Sequence, residues 1–180
     1  MKHTLTIIII LLLSLTAAAQ GNITTFMGIP VDGTKDTMTQ QLLRNGVKHK
    51  GNDLVASNIE GKTYLIRLET HKGKVYRVSM VETKGTEDVN RILARYDALI
   101  EEYRENTSMY CEYEYNPPVN YKHANDFEKY IHDGCYYAEF FQAADPQLYS
   151  RRMAFRITDE FGDYRIEWLY DNIFNMPTEK

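Results

Sequence analysis

Residues 62–83 read KTYLIRLETHKGKVYRVSMVET, and apolar side chains fall at every second position on each side of a His-Lys-Gly turn. A period of two marks a strand with one buried face, and Gly73 supplies the left-handed backbone that a short hairpin loop needs. A three-residue loop ending in Gly73 pairs Leu68 with Tyr76, Ile66 with Val78 and Tyr64 with Met80, whereas a two-residue loop sets Leu68 against Arg77. The first register keeps one face apolar, so Tyr64, Ile66, Leu68, Tyr76, Val78 and Met80 are expected in the core. An earlier turn signal at Glu60-Gly61 extends the hairpin to a three-stranded antiparallel meander over 53–83.

Helical periods flank the meander. Thr34 is placed to cap a short helix in which Met38, Leu42 and Leu43 form one stripe before Asn45-Gly46 ends it. Downstream, Thr86 with Glu87 and Asp88 starts a longer helix reaching residue 106. Its Val89, Ile92, Leu93, Tyr96, Leu99, Ile100 and Tyr103 recur at offsets of three and four, so one side faces a core. Strands are expected over 108–115, 135–142, 152–159 and 164–171, with a short helix at 126–132. A turn at Gly162-Asp163 pairs Ile157 with Trp168 and Phe155 with Tyr170, and Met153 and Ile166 join them on the core face. The order is helix with three strands, then helix with about four. It gives an α+β fold of tandem helix-plus-antiparallel-sheet repeats, the helices on one face of the sheet. The repeats span 20–84 and 85–180 and form one compact unit; the alternative is a single continuous sheet carrying both helices.

Hydrophobic residues make up 43% and charged residues 26% of the 180, a balance that supports a packed core rather than disorder. The net charge is -4, and Lys and Arg are scattered singly among Glu and Asp. Neutralising phosphates takes clustered cations, so nucleic acid is excluded as a partner. Residues 1–19 have the form of a secretory signal peptide: Lys2 and His3, an apolar run over 5–15, then Ala17-Ala18-Ala19 as a cleavage site before Gln20. That run falls short of the roughly 20 residues of a membrane helix. No Cys follows the small residues, so a periplasmic or secreted chain, neither lipidated nor stably inserted in the membrane, is expected. In that oxidising setting Cys111 and Cys135 are expected to form a disulfide, with two buried free thiols as the alternative.

Chemistry-bearing patterns are sparse. His49, His71, His123 and His132 form no metal-ligand spacing with one another or with a Cys, and Ser57, Ser79, Ser108 and Ser150 stand in no nucleophile motif. His132 lies three residues before Cys135, but across Gly134 and at a strand start, where the two side chains diverge. Asp159, Glu160 and Asp163 crowd one loop without the spacing of a calcium loop, and no Gly-rich phosphate loop is present. The reading is a chain that is not an enzyme and holds neither cofactor nor metal.

Aromatics are the informative remainder, with 14 Tyr, 7 Phe and 1 Trp. Tyr joins an apolar body to a polar tip, which suits partly wet binding surfaces. If Cys111 bridges Cys135, the face they share also carries Tyr113, Tyr115, Tyr137 and Phe141 and is the core. Tyr110, Tyr136 and Phe140 then look outward, beside Arg156 and Arg165 of the last hairpin. The resulting mixture of aromatics and Arg is enriched at interfaces.

Two end motifs, Phe26-Met27-Gly28-Ile29-Pro30-Val31-Asp32-Gly33-Thr34 and Tyr170-Asp171-Asn172-Ile173-Phe174-Asn175, resemble those of a family of uncharacterised exported proteins from Gram-negative gut bacteria. The resemblance implies a fold like that of the β-lactamase inhibitor protein and the small outer-membrane assembly lipoproteins: a helical pair on an antiparallel sheet, often in tandem. It implies no activity and carries over no functional residues, and the chain departs from the lipoprotein members in lacking a lipidation Cys. The functional expectation is a non-enzymatic exported binding module that presents the open face of a sheet to another protein or an envelope component. The alternatives are an inhibitor of an envelope or foreign enzyme, a small-ligand carrier or a small enzyme.

Overall fold

A computed structural model describes residues 22–51, 53–59, 61–106, 110–116, 126–142, 150–159 and 162–178. The segment read as a signal peptide lies outside them. The described chain opens with a small hairpin, β1 (Thr25–Phe26) and β2 (Ile29–Pro30), that turns through Met27 and Gly28 at φ 52° and 75°. Helix α1 (Lys35–Arg44) begins where expected, with the Thr37 amide donating to Thr34 Oγ1 at 3.2 Å. Strands β3 (Lys48–Lys50), β4 (Asp53–Ile59), β5 (Lys62–His71) and β6 (Lys74–Glu82) follow. Helix α2 (Val89–Glu105) starts two residues later than a cap at Thr86 would place it. Its cap is Asp88, whose carboxylate accepts from the Asn90 and Arg91 amides, while Thr86 Oγ1 accepts from the Asp88 amide. Then come β7 (Tyr110–Tyr115), α3 (Phe127–His132), β8 (Tyr137–Phe141), β9 (Arg151–Thr158) and β10 (Arg165–Asn172).

Among the described residues β3 to β10 form one antiparallel sheet in the order β3-β4-β5-β6-β10-β9-β8-β7, and the chain is α+β. All three helices pack on the same face. Met38 and Leu42 of α1 share one core with Leu68, Val75 and Val78. Ile92, Tyr96 and Ile100 of α2 share it with Phe155, Ile157 and Trp168, and Phe127 of α3 joins beside Tyr136. Tyr96 meets Phe155 and Tyr136 edge-on at 5.6 and 5.9 Å, geometries that aromatic quadrupoles favour.

Both expected hairpin registers are off by two, and in both cases the face survives. At β5–β6 the turn has two residues, Lys72 and Gly73, each left-handed at φ 49° and 79°. A bulge between Glu69 and Thr70 then slips the register, so that Leu68 opposes Val78, Ile66 opposes Met80 and Tyr64 opposes Glu82. The bulge removes Tyr76 from the core: it is half-buried and gives its hydroxyl to Glu69. At β9–β10, Ile157 opposes Ile166, Phe155 opposes Trp168 and Met153 opposes Tyr170. Here Tyr164 is drawn out of the hairpin into a bridge with Thr86, with N–H to O distances of 3.0 and 2.9 Å, and the turn closes earlier, from the Gly162 amide to the Asp159 carbonyl.

The two end motifs meet in space. Asn172, fully buried, donates Nδ2 to the Val31 carbonyl at 2.7 Å, and Asn175 Nδ2 reaches Asp32 Oδ1 at 2.8 Å and the Val75 carbonyl at 2.9 Å. The Val75 amide in turn donates to the Gly33 carbonyl at 2.8 Å. All but the Asn175–Asp32 bond satisfy backbone groups, so the motifs work together as a clasp on the sheet.

Candidate functional site

The sheet's other face carries no helix among the described residues. Alternation assigns it Leu65 of β5, Arg77, Ser79 and Val81 of β6, and Arg165, Glu167, Leu169 and Asp171 of β10. Arg152, Ala154 and Arg156 come from β9, and Tyr137, Glu139 and Phe141 from β8. Val81, Ala154 and Leu169 are buried without belonging to the helix-side core. They are small or aliphatic, and the register sets them between long side chains such as Arg156, Glu167 and Arg152, whose stems are able to cover them.

Those long side chains form an ordered series of ion pairs. The register sets Arg77 against Asp171, Glu167 against Arg156, and Glu139 one row from Arg152. Arg77 grips Asp171 with two parallel bonds, Nε to Oδ1 at 2.6 Å and Nη2 to Oδ2 at 2.9 Å, the bidentate geometry that guanidinium and carboxylate share. Arg156 binds Glu167 at 2.8 Å, and Arg152 pairs with Glu139, which also accepts the Tyr137 hydroxyl at 2.8 Å. Glu139, Glu167 and Asp171 are buried, and a buried carboxylate is costly unless a cation and hydrogen bonds satisfy it. Each arginine therefore caps an acid that the sheet has drawn out of water. Tyr137, its phenol pushed up to about 12 by burial and by Glu139, stays protonated and donates at any physiological pH. Arg165 closes the row at one end, bound to Asp163 Oδ1 at 2.5 Å and to the Glu82 carbonyl at 3.1 Å.

Edge strand β7 adds the apolar element. Tyr113 and Tyr115 are 50% and 43% exposed, stacked with centroids 6.4 Å apart, and the register places them beside Glu139 and Tyr137. Arg156 is also exposed and lies across from Tyr137. The surface is thus an internally neutralised charged strip with two partly exposed aromatic rings at its rim.

Of the residues expected on this face, Arg156 and Arg165 lie on it. The Tyr110 backbone pairs with Phe141, while its side chain lies outside the described residues, as does that of Cys111. Tyr136 and Phe140 do not belong here: they are 6% and 0% exposed and sit in the helix-side core, Phe140 against Tyr103 at 5.3 Å and Phe155 at 5.5 Å. Conversely Tyr113, Tyr115, Tyr137 and Phe141, expected in the core, are on the open side. The expected disulfide between Cys111 and Cys135 had fixed the inverted face, and it does not form. Cys135 is a free, buried thiol just before β8, and Cys111 opposes Phe140, five residues further along. At about 3.3 Å per residue that is on the order of 16 Å, well beyond the roughly 7 Å limit between bridged Cα atoms. Burial pushes the Cys135 thiol up, partly offset by its bond to the Tyr115 hydroxyl, so it has little thiolate character.

One signal in the sequence could have corrected the face. Glu139 shares its parity with Tyr137 and Phe141, so a core holding those two must also hold a carboxylate. Arg77 and Arg152 were missed because their acids are recognisable only once β6, β10, β9 and β8 are known to be neighbours. Comparison with known proteins finds no matching family model, no similar curated protein and no similar solved structure.

Proposed function

We propose that the protein is a non-enzymatic, exported interaction module that docks another protein or an envelope component on the open face of its sheet. The observation that carries this reading is the pair Tyr113 and Tyr115, stacked and exposed at the rim of a face that carries no helix among the described residues, beside Arg156 and Tyr137. Tyr and Arg dominate binding energy at protein interfaces because each buries a large surface and still satisfies its polar end. The ion pairs beneath them are already made, so binding orders little that is not ordered beforehand.

The architecture supports the same reading. Strand order runs outward from β6 and β10 in mirror fashion, and each half supplies one long helix followed by strands whose last member lies at the centre. We read this as two α+β units in tandem, at 20–84 and 85–180, the arrangement implied by resemblance to the exported family and to the β-lactamase inhibitor protein.

The test is capture from an envelope extract with the wild type and with the Tyr113→Ser/Tyr115→Ser variant, followed by hydrogen exchange on the purified complex. A partner retained by the wild type and lost by the variant, with protection over β7–β9, is expected. A partner held equally by both, or protection confined to the helix side, would remove the open face as the site.

A further inference from the structure

A concave region lies away from the open face, where the β5 start, the β6 end and the first turns of α2 converge. It is a cleft of about 430 Å³, a size suited to a small organic molecule. Four cations line it, Lys62, Lys84, Arg91 and Arg95, against one carboxylate, Glu82, so its walls carry +3 in a chain whose net charge is -4. The helix start makes no separate contribution, because Asp88 already accepts its first free amides.

The five charges are not equivalent. Glu82 is buried on the floor, gripped by both terminal guanidinium nitrogens of Arg95 and by Lys62 Nζ at 3.0 Å. Burial pushes its carboxyl up, but the bonds and charges of Arg95 and Lys62 prevail and hold it below the ordinary range. This triad fixes the floor and leaves one positive charge over. The side chains of Lys84 and Arg91, by contrast, have no ion-pair or hydrogen-bond partner among the described residues, although both residues line the same hollow. Neighbouring cations left unpaired in a concavity repel each other and concentrate anions. Tyr164 lines the cleft as well, its ring set edge-on to Phe127 at 4.9 Å. The segment between Lys84 and α2 packs closely at Gly85, whose amide donates to Asp163 Oδ2 at 3.1 Å and where a Cβ would meet Asp163 and the Tyr164 carbonyl at 2.5 and 2.6 Å.

We propose that this cleft binds a small organic anion whose phosphate or carboxylate group lies between Lys84 and Arg91 and whose carbon body rests against Tyr164. The site is independent of the open face, so a ligand here and a docked protein there are separable properties.

Isotope-labelled protein titrated with phenyl phosphate, benzoate and the uncharged benzyl alcohol tests it directly. Amide shifts confined to residues 83–86 and to the first turns of α2 are expected with the anions, saturating below about 10 mM and weakening as salt is added. Tighter binding of phenyl phosphate assigns a phosphate ligand, and tighter binding of benzoate a carboxylate. The Lys84→Ala/Arg91→Ala variant should bind at least about tenfold more weakly, since charged hydrogen bonds are lost. Its thermal midpoint without ligand should stay at the wild-type value, because both side chains are exposed. Absence of shifts with both anions, equal shifts with benzyl alcohol, or unchanged affinity in the double variant would each overturn the proposal.

Discussion

Phe140→Ala separates the two possible faces of β8. In the structure the Phe140 ring is wholly buried between Tyr103 at 5.3 Å and Phe155 at 5.5 Å. Both neighbours are themselves fixed, Tyr103 on α2 and Phe155 in the middle of β9, so the vacated space cannot close. A truncation of this kind costs about 3–5 kcal/mol, transfer and cavity contributions together. For a chain of this size that lowers the thermal midpoint by roughly 6–20 °C. With a urea slope of about 2 kcal/mol/M it moves the denaturation midpoint down by about 1.5–2.5 M. Tyr115→Ala is the matched control: its ring is nearly half in solvent, and the change should stay within about 0.5 kcal/mol of wild type. If Phe140 looked outward and Tyr115 inward, the two results would exchange places. Urea melts of both variants by circular dichroism decide the matter, and a Phe140→Ala protein within about 0.5 kcal/mol of wild type would refute the assignment of the core.

Three other outcomes are expected. Unreduced, denatured protein should take up two alkyl groups per chain, one on each Cys, and a peptide joining Cys111 to Cys135 in an unreduced digest would contradict the register of β7 on β8. Glu82 has a folded pKa below its unfolded one, so its stabilisation is complete above the ordinary carboxylate range and is lost as pH falls through the lowered value. Glu82→Gln should therefore flatten the loss of stability on acidification below about pH 4.5, and an unchanged acid profile would show that the triad with Arg95 and Lys62 contributes nothing. Asp171→Ala should cost roughly 1–3 kcal/mol, less than for a fully buried pair, because Arg77 keeps 24% of its side chain in water. Arg77→Met/Asp171→Leu should recover most of that loss, as replacing both charges leaves neither stranded; a double variant as unstable as the single would argue against the pairing.

The two kinds of periodicity carried most of the fold. The stripe Ile92, Tyr96, Ile100 admits only a helix with one buried side, and the alternation over 62–83 admits only strands with one buried face. Register was harder because it depends on departures from regularity. The two-residue turn together with the bulge at Glu69, and the capture of Tyr164 by Thr86, displace their hairpins by two positions, and none of these is written in the local pattern. A shift of two preserves the face, which is why the core residues of β5, β9 and β10 were legible although their partners were not.

The face of β8 had no such protection. Both parities of Tyr136-Tyr137-Ala138-Glu139-Phe140-Phe141 carry aromatics, so hydrophobicity cannot choose between them, and an assumed disulfide chose wrongly. Charge can choose. Glu139 lies with Tyr137 and Phe141, and the cation that pairs with it, Arg152, comes from the neighbouring strand. The same reasoning explains why the charged strip is invisible in the linear sequence: Arg77 and Asp171 are 94 positions apart, and neither signals the other until β6 and β10 lie side by side at the centre of the sheet. A face built from acids and bases contributed by different strands is neutral only when the strand order is right. The open surface is therefore both the most demanding check on the sheet topology and the part of the molecule that local pattern reveals last.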